Sequence, residues 1–122
     1  MRWGDPIVGE APAFDPTALS AAAQQRQFGY NNDFVGFVSL PQGSNASDRG
    51  LLCVNHEYTN TDFMWPGLRN DTIAQRMTRE MVEVELAAHG VSVVEIARQG
   101  AAWSVVASSR YNRRISMLTE IA

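Results

Sequence analysis

Apolar and polar positions change rhythm several times along this chain, and each change marks an element. Phe34-Val35-Gly36-Phe37-Val38-Ser39-Leu40 is β-branched and aromatic and is stopped by Pro41, which predicts a strand over about 33–40. Pro, Gly, Ser, Asn and Asp fill 41–50 as a polar loop. Leu51-Leu52-Cys53-Val54 follows Gly50 as a short apolar run, read as a buried strand over about 50–56 and as the antiparallel partner of the first. Asn60 to Asn70 is another loop, carrying Pro66 and Gly67. Ile73, Met77, Met81, Val84 and Ala88 then recur at spacings of four and three, one stripe of a helix over about 72–89. Asp71 or Thr72 can cap it, with Gln75 in capping-box position. Gly90 supplies the terminating glycine, and His89 sits where positive charge suits the dipole. Val91–Ala97 and Ala102–Ala107 read as two strands, over 91–97 and 102–107, joined through Arg98-Gln99-Gly100 as a hairpin.

Ahead of these lies an irregular lead-in, 1–27, in which Pro6, Pro12 and Pro16 interrupt regular ladders. A short helix is expected over 17–27, with Thr17 as its cap. The predicted fold is mainly β with one inserted helix. Four short strands cannot close a barrel, so their free edges call for partners outside the chain or for self-association.

Composition narrows the class. With 122 residues, 45% hydrophobic and 19% charged, the chain reads as globular. A net charge of -3 argues against nucleic-acid binding, which calls for a basic patch. No apolar run approaches the ~18 residues that span a bilayer. The start, Met1-Arg2-Trp3-Gly4-Asp5-Pro6, has neither an apolar signal region nor a twin-arginine stretch, so no export signal is expected in these residues. The opening reads like the inside of a domain, and a fragment of a longer protein is expected. All ten basic residues are Arg; a GC-rich genome explains this, and phosphate recognition by planar guanidinium forks is a second reading.

The chemistry-bearing cluster is Cys53-Val54-Asn55-His56-Glu57-Tyr58-Thr59 at the end of a strand. Alternation would put Cys53, Asn55 and Glu57 on one face. Thiolate suits iron or zinc, and amide and carboxylate oxygens suit calcium or magnesium; simple core packing of Cys53 stands beside the metal reading. His56 falls on the other face, as a ligand, an acid/base or a supporting donor. A four-ligand zinc site and a cysteine-protease pairing with His89 both lack further support. Gly29-Tyr30-Asn31-Asn32-Asp33 is either a plain turn or an oxygen cluster of calcium-binding type. Asn112-Arg113-Arg114 is either solvated surface or a phosphate clamp. Glu80, Glu83 and Glu85 read as a solvent face of the helix.

Five blocks in order resemble the PhoX-type alkaline phosphatase family: Arg2 to Pro6, Phe28 to Phe34, Leu51 to Thr59, Ala87 to Glu95, and Tyr111 to Arg114. The resemblance covers nearly the whole chain and implies the N-terminal portion of a much longer enzyme, a partial β-propeller of one to two blades. It implies a calcium- and iron-dependent phosphomonoesterase, periplasmic or extracellular at full length, that releases phosphate from phosphate esters. It also implies Cys53 as an iron ligand, Glu57 as the next metal ligand, and Asn55, Asn32 and Asp33 as further metal-site residues. Arg113 and His56 are implied as catalytic. A segment this short is expected to be inactive by itself. A non-catalytic propeller scaffold and a calcium-dependent propeller esterase or lactonase remain as alternatives.

Overall fold

The structure, a computed structural model, describes residues 1–120. Its centre is a five-stranded antiparallel sheet. β1 (Asn32–Ser39), β2 (Arg49–His56) and β3 (Gly90–Gln99) lie side by side in that order. β3 is long enough to hold two partners on its far side, β4 (Ala102–Val105) along its C-terminal half and β5 (Arg113–Ile115) along its N-terminal half. The β3–β4 hairpin turns through Gly100 and Ala101, with Gly100 at φ +61°, the positive φ that a two-residue hairpin turn requires.

Register assigns the two faces of the sheet. Leu52, Val54 and His56 of β2 stand beside Ser92, Val94 and Ile96 of β3 on the inner face. Val54 and Val94 are fully buried there with Ile7 and Phe28, and Val8, Leu52, Ile96 and Val105 pack around them. Each such buried side chain contributes about 1.5–3 kcal/mol relative to exposure. Ile7 and Phe28 arrive from the lead-in, which folds back on itself: Phe28 N–H donates to Asp5 O at 2.8 Å and Gly4 N–H to Phe28 O at 3.0 Å. Buried Gln24 clips this turn, accepting from Trp3 Nε1 at 2.6 Å and donating to Phe28 O at 3.1 Å. A second apolar cluster joins Met64, Val84 and Ala88 to Trp3, Leu19, Ala21, Tyr30 and Trp65.

The helices depart from the sequence expectation. The stripe at 72–89 is two helices, α3 (Ile73–Arg76) and α4 (Arg79–Ala88), preceded by the short α1 (Ala21–Gln24) and α2 (Thr61–Met64). Met77 is extended (φ -70°, ψ 124°), and the Thr78 hydroxyl accepts from Met81 N–H, starting α4 afresh. Such a cap contributes about 1 kcal/mol. Thr72 makes no capping bond to α3; its hydroxyl donates to Arg69 O instead. In the lead-in the helix is confined to 21–24 and is capped by Ser20 rather than Thr17, because Thr17 already bonds Asp15. No described helix is long and apolar enough to cross a membrane.

Candidate functional site

Alternation along β2 sends Cys53 and Asn55 to the outer face, away from the core. Cys53 is half-buried, with Gly36 of β1 and Val93 of β3 as its cross-strand neighbours. Val93 in turn pairs with Arg113 of β5. Cys53, Val93 and Arg113 therefore form one row across three strands, with backbones about 10 Å apart from first to last. Arg113 is exposed.

The oxygen donors gather at one end of the β1–β2 pair. Asn32 lies opposite His56, the register shifts through a bulge between Asn32 and Val35, and Asp33 within it is exposed. Asn55 Oδ1 accepts from Phe34 N–H at 2.7 Å, which pins that bulge and leaves the oxygen one lone pair for any cation. Glu57, just past the strand, is exposed and is held by its own N–H to Asn31 O at 3.2 Å. Thr59 continues the loop and donates to the buried Glu85 Oε2 at 2.6 Å, so Glu85 is no solvent-face residue. Asn32, Asp33, Asn55 and Glu57 thus share one end of the sheet, with Cys53 on its outer face. Among the described residues, no three His, Cys, Asp or Glu side chains converge as a metal-binding group.

His56 lies on the opposite face of the sheet from Cys53 and Asn55. It is 3% exposed, on the inner face. Its Nδ1 is 3.2 Å from Tyr30 O and its Nε2 2.7 Å from Ser92 Oγ. A carbonyl can only accept, so Nδ1 carries the proton and Nε2 accepts from the serine hydroxyl. Burial, with the Arg114 charge adding to it against the Tyr30 carbonyl, holds its pKa down to about 4. Within these residues His56 is a neutral internal strut.

Arg114, the neighbour of Arg113, points inward and is 9% exposed. Its guanidinium donates to Ser92 Oγ at 3.2 Å, to Ala87 O at 2.7 Å and to His89 O at 3.0 Å. These last carbonyls close the C-terminal end of α4, where the helix dipole favours a cation. Burial lowers its pKa to about 10, so it stays charged at neutral pH. The sequence reading of paired arginines did not separate these roles, although strand alternation implies that one must face inward. Glu95, unmarked by sequence reasoning, is 2% exposed and bonded to Ser109 and Arg49. Its pKa is lowered by the Ser109 hydroxyl and by Arg49.

The chain resembles known proteins over nearly its whole length. The family model for alkaline phosphatase PhoX matches residues 1–122. Among solved structures, Pseudomonas fluorescens PhoX in complex with vanadate, a transition state analogue, is similar at 39% identity and a TM-score of 0.78. That match covers 95% of this chain and 19% of the Pseudomonas chain, so these residues span about a fifth of that protein's length. No curated protein matches the chain. An antiparallel sheet with short helices is the partial, propeller-like β fold expected of such a segment.

Proposed function

Because the chain belongs to the PhoX alkaline phosphatase family, we propose that it is the segment of a metal-dependent phosphomonoesterase that supplies a thiolate, several oxygen donors and one arginine to a phosphate site. The row Cys53–Val93–Arg113 carries this reading. It sets a soft ligand and a guanidinium on one outer face, beside the sheet end that bears Asn32, Asp33, Asn55 and Glu57.

Chemistry decides how well these residues suit iron and calcium. Cys53 would hold the softer ion, and the carboxylates of Asp33 and Glu57, with the amides of Asn32 and Asn55, the harder one. Bound cations of that kind supply positive charge to the non-bridging oxygens of a phosphate ester. Arg113 would orient those oxygens through its bidentate fork. These residues span 19% of the Pseudomonas chain, so activity is assigned to a protein of PhoX length and not to the 122-residue chain by itself. The vanadate bound by the Pseudomonas relative supports phosphoryl transfer as the reaction class. The periplasm or cell exterior is the compartment we propose for the full-length enzyme, by family resemblance.

A chimera tests this reading. The matching segment of Pseudomonas fluorescens PhoX is replaced by this chain, and phosphomonoester hydrolysis is followed with and without a calcium chelator. Chelator-sensitive hydrolysis that Cys53→Ser abolishes, with iron content falling in parallel, is the expected result. A folded chimera with no hydrolysis would favour a scaffold role. Hydrolysis indifferent to Cys53→Ser would favour esterase-type chemistry without a thiolate ligand.

A further inference from the structure

The two far-side partners of β3 do not meet. β4 pairs with it from Ile96 to Gln99 and β5 from Val91 to Val93, and Val94 and Glu95 fall between them. The chain leaves β4 at Val105, crosses this gap through 106–112 and rejoins the sheet at Arg113.

Glu95 is the residue on which the crossing closes. Its C=O accepts from Val106 N–H at 2.9 Å, and its N–H donates to Asn112 Oδ1 at 2.8 Å. Its carboxylate accepts from the Ser109 hydroxyl and from Arg49 Nε at 2.6 Å. The loop is also tied to itself: Asn112 Nδ2 donates to Val106 O at 2.9 Å, and Ser109 Oγ accepts from Tyr111 N–H at 3.1 Å. Glu95 lies two residues beyond Val93, on the outer face with Cys53. The loop covers it there, which is why an outward carboxylate is only 2% exposed.

We infer that Glu95 is the positioning residue for Arg113: by clamping 106–112 it fixes the register in which β5 meets β3. Asn112 ends the loop and Arg113 begins β5. A slip of one residue would turn Arg113 inward and Arg114 outward, because side-chain direction alternates along a strand. β5 is short, holding β3 only through Val91↔Ile115, Ser92↔Arg114 and Val93↔Arg113. The bonds to Glu95 set that register from the loop side, and a slip would strip its buried N–H of its acceptor, a costly loss. Glu95 is thus bonded to the loop and acts through Arg113. The inference rests on the phosphate-binding role proposed above for Arg113.

A double-mutant cycle in the Pseudomonas chimera tests this. Glu95→Met keeps the bulk of the side chain and removes both carboxylate acceptors. With Arg113 present it should slow phosphomonoester hydrolysis about tenfold to a hundredfold, the range expected of a misplaced binding group. With Arg113→Ala already made, the further loss should be less than about twofold. Glu95→Gln, which keeps one oxygen for Ser109, should restore most of the rate. Ser109→Ala, a change in the loop alone, takes the place of Glu95→Met if that variant does not fold. In the 122-residue chain the same change should abolish the cross-strand NOEs between Val93 and Arg113. Equal losses in the two Arg113 backgrounds would make Glu95 merely structural and overturn the inference. NOEs that persist in the folded variant overturn it too. If Arg113→Ala leaves hydrolysis unaffected, the phosphate reading fails instead, and the Val93–Arg113 NOEs alone decide whether Glu95 sets the register.

Discussion

Arg114 and His56 are joined through one hydroxyl: Arg114 Nη1 lies 3.2 Å and His56 Nε2 2.7 Å from Ser92 Oγ. Ser92 is wholly buried, so water cannot substitute for it. The direction of donation follows from the ends, since guanidinium only donates and the Tyr30 carbonyl only accepts. The chain of bonds ties β5 to β3, to β2 and to the turn before β1.

Removing that hydroxyl should therefore be costly. Ser92→Ala leaves His56 Nε2 without its donor and takes one acceptor from a buried cation. The expected loss is about 1–3 kcal/mol, read as a lower urea midpoint with unchanged slope. A change under half a kcal/mol, near the usual surface value, would show that the two side chains find other partners.

Acid should weaken the fold in a defined window. Burial and the Arg114 charge hold His56 down to about 4, against 6.5 for a free imidazole. Between those values the unfolded chain binds a proton that the folded chain refuses, so stability falls as pH drops from 6.5 toward 4. The full effect is at most roughly 3 kcal/mol. Glu95 acts with the same sign but lower, its stabilisation being lost beneath the usual 4.5. Denaturation midpoints taken across the upper window, with NMR titration of the His56 ring, separate the two. A ring that titrates near 6.5 in the folded chain would contradict the buried strut.

Gly29 is required by close approach rather than by its backbone angle. A Cβ there would stand 2.4 Å from the His56 ring and 2.5 Å from Ala88 O, closer than packed atoms allow. The position is buried, and the next N–H, that of Tyr30, bonds the same Ala88 carbonyl. Gly29→Ala should cost about 1–3 kcal/mol and shift the His56 resonances, whereas Gly43→Ala, with nothing nearby but φ at +80°, should leave those resonances in place.

Local chemistry determined what could be read from the sequence. The β-branched runs around Val35, Val54, Val93 and Val105 all fall in strands, because their stiffness and burial point the same way. The helix break between Arg76 and Arg79 was not legible. The apolar stripe runs through it unchanged, and only the choice of Thr78 over Thr72 as cap divides it. At the candidate site, the shared face of Cys53 and Asn55 follows from alternation alone. Their alignment with Arg113 does not, because β5 reaches β3 only through tertiary pairing. Arg114 and Glu95 were illegible for a related reason: both are charged residues whose burial rests on partners distant in sequence.

The two adjacent arginines give the sharpest contrast between folding and chemistry. Arg113 is exposed on the outer face, in the row of Cys53, and Arg114 is buried on the inner face with three acceptors. Arg113→Ala should leave stability within about half a kcal/mol, as for other exposed positions. In the Pseudomonas chimera the same change should slow phosphomonoester hydrolysis about a hundredfold or more, the usual effect of losing one oxyanion-stabilising donor. Arg114→Met should do the reverse in the isolated chain. It removes the donors from the Ala87 and His89 carbonyls at the end of α4 and from Ser92, for a loss of about 2 kcal/mol or more. If Arg113→Ala unfolds the chain while hydrolysis survives in folded molecules, the outer row is structural, and the phosphate-binding role moves elsewhere in the protein.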